Sequence, residues 1–138
     1  MIFLDSWVWL EYIFSGDKDD KAESLIERAD DPEEGGLIAP TILAEVSYRV
    51  RVVEDNATAE EGIRAIREFE YIESAPLIDE IAEYAAELRF KYYERGEREL
   101  SYADAIHLAT AVVHDDCTVL YSGDPDFADC DDIETVVL

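Results

Sequence analysis

Residues 101–126, SYADAIHLATAVVHDDCTVLYSGDPD, decide the fold. In the first half, Ala105, Ile106, Leu108, Ala109, Ala111, Val112 and Val113 cover nearly the whole circumference of a helix, so the spacing predicts a central helix packed on more than one side. Ser101 with Asp104 three residues on is the pattern of a capping box, which starts that helix at Ser101. The second half gives TVLYS (118–122), a short run of strand formers, then a turn SGDPDF (122–127) and a last apolar run TVVL (135–138). A buried helix feeding a short buried strand is the repeating unit of a parallel sheet.

The same unit recurs upstream. Ile2 to Leu4 is a short apolar run that ends in Asp5 and Ser6, and a helix begins at once in SWVWLEYIF (6–14). Ala22, Leu25, Ile26 and Ala29 carry the i, i+3, i+4, i+7 spacing of an amphipathic helix. GLIAP (36–40) reads as a second strand, and TILAEVSYRVRVV (41–53) as a helix with Ile42, Val46, Val50 and Val53 on one side and Glu45 flanking it. Thr58 with Glu61 predicts a capping box for a helix bearing Ile63, Ile66 and Phe69, and Tyr71 to Ser74 a further short strand. Ile78, Ile81, Ala82, Ala85 and Leu88 mark a long helix expected to end at Gly96. The expectation is one α/β domain over residues 1–138, with a central, mostly parallel sheet of four to five short strands. In the first helix Trp7, Val8, Trp9, Leu10, Tyr12, Ile13 and Phe14 exceed one core-facing stripe. That surplus is covered either by a second layer of the same domain or by a partner or second copy.

Acids stand at the strand exits. In an open parallel sheet ligands bind beyond the carboxyl ends of the strands at a topological switch point. Asp5 and Asp124 follow strands, Asp104 lies in the first turn of the central helix, and Glu45 in the first two turns of the helix after the second strand. Each has an ordinary reading: Asp5 as a helix cap, Asp104 as partner of Ser101, Asp124 as a turn residue, Glu45 paired with Arg49. Together those readings do not explain acids at every strand-to-helix exit on one edge, flanked by apolar sequence, where like charges repel unless a cation joins them. Oxygen ligands favour magnesium or manganese, as one ion or two, and metal-assisted hydrolysis of a phosphodiester suits such a site. His107 lies three residues beyond Asp104, but on so apolar a helix it reads as a core histidine whose face points elsewhere.

LDSWVW (4–9), PTILAEV (40–46), SYADAIHLATA (101–111) and VLYSGDPDF (119–127) together resemble the PIN-domain ribonucleases of the VapC toxin type, in the same order and at the same domain length. The resemblance implies an α/β/α sandwich whose acids, here Asp5, Glu45, Asp104 and Asp124, bind magnesium or manganese and cleave RNA. It puts Ser6, Ser122 and Asp126 in supporting roles beside the metal. It also implies a toxin that pairs with a small antitoxin and forms a homodimer. The alternative reading is a non-catalytic PIN scaffold that binds RNA or protein.

Charge sets the main difficulty for an RNA-cutting reading. The chain has 35 acidic and 11 basic residues, a net charge of −24, and such a surface repels a polyanion. A salt-rich host would quench the self-repulsion, so a halophilic source is expected. One local exception is RFKYYERGER (89–98), where Arg89, Lys91, Arg95 and Arg98 interleave with Phe90, Tyr92 and Tyr93. That stretch is the candidate RNA-contacting edge. Its ordinary reading is a helix end whose cations suit the negative pole of the dipole.

Other classes are disfavoured. The longest nearly uncharged stretch, around Ala105 to Val113, is short of a membrane span, and no basic leader opens the sequence, so a cytoplasmic protein is expected. Cys117 and Cys130 are expected to be unpaired, and with His107 and His114 they show no zinc-site spacing. A haloacid-type phosphatase would need an aspartate where Trp7 stands. A receiver domain would need a lysine after a late strand, and Lys18, Lys21 and Lys91 lie elsewhere.

Overall fold

The computed structural model describes residues 1–138. Its five strands are β1 (Ile2–Leu4), β2 (Gly36–Ile38), β3 (Ile72–Ser74), β4 (Val119–Ser122) and β5 (Glu134–Val137), ordered β3-β2-β1-β4-β5. Every pairing is parallel, with Ile2 opposite both Gly36 and Val119. Parallel neighbours require crossovers, and six helices supply all but the last: α1 (Ser6–Ile13), α2 (Asp19–Ala29), α3 (Pro40–Val53), α4 (Asn56–Glu68), α5 (Asp79–Tyr92) and α6 (Tyr102–Val113), with a single 3-10 turn at Pro125–Phe127 between β4 and β5. This is the α/β/α layering expected from the sequence.

The central strands are buried on both faces: Ile2, Phe3 and Leu4 of β1, and Leu37 and Ile38 of β2, are almost wholly enclosed, while the edge strands β3 and β5 are partly exposed. The chain leaves β1 in one direction to build β2 and β3, and returns on the other side as β4 and β5. The switch point therefore lies between β1 and β4. Helix α6, with Ala105, His107, Leu108, Ala109, Thr110 and Ala111 buried, packs against α5, α3, β2 and β4. Its all-round apolar sequence has the central position it predicts.

The surplus on α1 is largely absorbed within the chain. α1 packs against α2, α3 and β4, Val8 and Trp9 are buried, and Trp9 meets the Phe69 ring at 5.8 Å. Tyr12 alone of its large side chains is well exposed. Of the two coverings open to this helix, the structure shows the internal one.

Two local expectations are corrected. Helix α4 is capped by Asp55, whose carboxylate accepts from the Thr58 amide at 2.7 Å, so Thr58 is inside the helix rather than its cap. Helix α5 ends at Tyr92, before Gly96: the Tyr92 hydroxyl bonds Asp132, and the following residues close a bridge between Glu94 and Arg98 in which Gly96 takes φ +83°. Gly96 thus serves a turn outside the helix, where a positive φ is free of steric cost only for glycine. No helix is long and apolar enough to cross a membrane, and both cysteines are unpaired.

Candidate metal centre

The carboxyl ends of β1 and β4 set the site. Asp5 follows β1 directly and is 3% exposed. Its Oδ2 accepts from the Ser122 hydroxyl at 2.8 Å, and more weakly from the Trp7 amide at 3.4 Å. Its Oδ1 lies 2.9 Å from His107 Nδ1. Ser122 in turn accepts the Asp124 amide at 3.0 Å, so the two strand exits are tied together by one hydroxyl.

Asp104 arrives from the first turn of α6, where it completes the capping box: its Oδ2 accepts the Ser101 amide at 3.1 Å and its own amide bonds Ser101 Oγ. Asp124 uses Oδ1 to accept the Asp126 amide at 2.9 Å. The capping and turn readings of Asp5, Asp104 and Asp124 are thus all realised, and they do not compete with a site. A carboxylate has two oxygens, and in Asp104 and Asp124 these contacts occupy only one. Glu45 makes no ion pair with Arg49; its Oε1 stands 3.4 Å from His107 Nε2 instead.

Ligand atoms of Asp5, Asp104 and His107 lie within 4.8 Å of one another. Glu45 feels the charges of His107, Asp5 and Asp104, and Asp124 those of Asp126 and Asp5, so the four acids share one electrostatic neighbourhood. Burial raises the pKa of Glu45, Asp104 and Asp124 above the usual carboxylate range, and the Asp5 charge pushes each the same way. Glu45 Oε1 and His107 Nε2 are both buried without a hydrogen-bond partner. Two orphaned acceptor-capable atoms facing each other among carboxylates are what a shared cation would satisfy. The donor set fits a hard divalent ion, since the uncommitted atoms are chiefly carboxylate oxygens.

Of the supporting residues, Ser122 links Asp5 to Asp124, Ser6 lies near enough to Glu45 to favour its charged form, and Asp126 holds Asp124 through its amide. His107 departs from the sequence expectation. It is fully buried, as a core histidine would be, but its face points at the acids and it touches two of them. The spacing carried the signal: a residue at i+3 from Asp104 on a helix shares its face.

Gly123 stands between Ser122 and Asp124, and a Cβ there would overlap the Trp7 indole ring. Gly123→Ala must therefore displace Trp7 and the strand exit together. The expected cost is about 1–3 kcal/mol in a thermal melt, whereas Gly62→Ala, whose Cβ on α4 would meet only Ile13 Cδ1 at an ordinary 3.9 Å, should leave stability unchanged or raise it. Equal melting of the two variants would mean that Trp7 does not brace the site.

The proposed RNA edge is divided by the structure. Lys91 pairs with Asp132 at 3.1 Å, Arg98 bonds the Ala128 carbonyl and lies over the Tyr92 ring, and Arg89 donates Nε to the Leu100 carbonyl at 3.0 Å. Arg95 is exposed, with no such contact.

A parallel α/β sheet with carboxylates clustered at its switch point defines the class of α/β domains with an acidic pocket beyond the strand ends. Within it, the chain belongs to the PIN domain family, whose profile matches residues 2–133. A comparison with curated protein sequences finds no match. Among solved structures, the chain is similar to VapC20 of Mycobacterium tuberculosis, a sarcin-ricin-loop-cleaving toxin, with 23% identity, 92% of each chain covered and a TM-score of 0.73. VapBC2 of Rickettsia felis, solved on a DNA fragment from its promoter, matches with 16% identity, 99% and 98% coverage and a TM-score of 0.74. A toxin–antitoxin complex from Klebsiella pneumoniae matches with 22% identity, 99% and 97% coverage and a TM-score of 0.69. At these identities the likeness establishes the shared fold.

Proposed function

We propose that residues 1–138 form one PIN domain that hydrolyses RNA phosphodiester bonds with magnesium or manganese, acting as the toxin of a toxin–antitoxin pair. The observation that carries the reading is the convergence of Asp5, Asp104 and His107 within 4.8 Å, with Glu45 at the same histidine and Asp124 tied in through Ser122. Asp5, Glu45, Asp104 and Asp124 are the proposed metal-holding set. A bound divalent ion would neutralise these acids and the charge that develops on the phosphoryl oxygens during hydrolysis. Ser122 and His107 hold Asp5 in place by a bond to each of its oxygens, and the Ser101 cap fixes Asp104. Such preset carboxylates bind an ion with little reorganisation.

The antitoxin partner is supported by the kind of structure the chain resembles, two of them toxin–antitoxin assemblies. Tyr48, Val52 and Val53 expose more than half their surface on α3, an apolar strip suited to a partner or to a second copy in a homodimer. The activity is tested by incubating the purified protein with total RNA and manganese, beside Glu45→Gln. Cleavage by the wild type that is lost in the variant is expected. Cleavage equal in both would assign it to a contaminant, and none in either would leave a scaffold that only binds.

A further inference from the structure

The part of α5 and α6 beside the acids carries an unusual surface. Phe90 is 91% exposed, Tyr102 64% and Tyr93 39%, and with Ala86 and Arg89 they line a hollow of about 430 Å³. The Arg89 guanidinium carbon sits 4.6 Å from the Tyr93 ring centre and 4.5 Å from that of Tyr102. Its Nε is committed to the Leu100 carbonyl, which leaves both terminal nitrogens available. Arg89 is the only charged residue lining the hollow.

Two features select an occupant. On a chain of net charge −24, a concavity lined by one fixed cation and three aromatic rings is complementary to an anion bearing a flat π-face. Position supplies the second: Tyr102 is the first residue of α6 and Asp104 the third, about 3 Å apart along the axis. They project from opposite sides of that first turn, so a strand whose phosphate meets Asp104 reaches the rings after rounding the start of α6, a few nucleotides away. Stacking also answers the charge difficulty, because it needs no net positive surface.

We propose that this hollow is a stacking subsite for one unpaired nucleobase a few positions from the scissile phosphate, with Arg89 meeting its backbone. The proposal rests on the ribonuclease reading above and adds to it a base-contacting site outside the metal centre. Lys91 and Arg98, held by Asp132 and Ala128, take no part.

The cut position is first mapped on a single-stranded RNA oligonucleotide with manganese, and KM and kcat are measured for wild type, Phe90→Leu and Phe90→Tyr. Phe90→Leu keeps the apolar bulk and removes the ring, so KM should rise roughly tenfold with kcat held, and Phe90→Tyr should restore it. An abasic position walked outward from the cut should, at one site within a few nucleotides, raise KM for the wild type by a similar factor and leave Phe90→Leu little changed. Unchanged KM in Phe90→Leu, with cleavage intact, overturns the subsite alone. The subsite is equally overturned if the leucine variant keeps its KM while Phe90→Glu alters the oligomeric state, since the hollow would then seat protein. A wild type that cuts no RNA overturns the ribonuclease reading and the subsite together.

Discussion

Asp104→Asn is expected to lose RNA cleavage by at least about 10³-fold, roughly 4 kcal/mol of barrier, and to melt higher than the wild type when metal is absent. Both effects follow from how one side chain divides its oxygens. The oxygen that accepts the Ser101 amide survives in asparagine, so the capping box and the start of α6 remain. The second oxygen, left free by the cap on a side chain within ligand distance of Asp5 and His107, becomes an amide that neither carries charge nor draws a cation. Burial and the Asp5 charge already push the Asp104 carboxyl above its usual range, so the anion costs folding energy that the neutral amide does not. A gain on the order of 1 kcal/mol is expected, about 4 °C in Tm for a domain of this size.

Asp5→Asn should behave in the opposite way. Asp5 accepts from Ser122 Oγ and the Trp7 amide with one oxygen and faces His107 with the other. An amide can replace only one of those oxygens as an acceptor and leaves a buried mismatch. Activity falls in both variants, while stability rises in one and drops in the other. Retained cleavage in Asp104→Asn would remove Asp104 from the site, and a lower metal-free Tm would mean that its charge is not a burden in the fold.

That division of oxygens explains what the sequence could and could not tell. Strand exits and helix starts follow from apolar runs and caps, so the placement of Asp5, Asp104 and Asp124 at one edge was legible from Ile2–Leu4, Ser101 and Val119–Ser122. A mostly parallel sheet of four to five short strands was legible for the same reason, whereas the α/β/α layering came from the family resemblance. Which face of α6 meets the acids is not marked by any stripe, because the helix is apolar all round, and only the i+3 spacing of His107 from Asp104 turns it toward them. The surplus on α1 was ambiguous on the same physical ground: seven apolar positions state that something covers the helix, and only packing shows that α2 and α3 do. The stop of α5 at Tyr92 depends on Asp132, 40 residues distant, a contact no local spacing announces. The basic residues of 89–98 illustrate the limit in reverse. Composition groups four cations there, and tertiary partners then occupy three of them.

Acidifying the metal-free protein from about pH 7.5 to about pH 5 is expected to stabilise it, and manganese is expected to stabilise it at pH 7.5 but much less at pH 5. Glu45, Asp104 and Asp124 have folded pKa values above their unfolded ones, with burial the largest cause in each. Between the unfolded value, about 4, and the raised folded value, the native state holds more protons than the unfolded chain. Stability therefore falls as pH climbs through that window, and the full penalty of the buried anions is present above it. A divalent ion reverses the balance by binding the ionised carboxylates of the native state. At a concentration of 100 times its Kd the gain is about 2.7 kcal/mol, and protons competing for the same oxygens shrink it at low pH. The net charge of −24 also favours acidification, since protonation anywhere relieves repulsion. The combined variant Glu45→Gln, Asp104→Asn, Asp124→Asn separates the two sources: it keeps most of the surface charge, so what it loses of the metal-free pH slope belongs to the cluster. Tm measured by circular dichroism at both pH values, with manganese and with a chelator, checks each part. An identical Tm with and without manganese at pH 7.5 would mean that these acids hold no ion, and a wild-type pH slope fully preserved in the triple variant would mean that their burial costs the fold nothing.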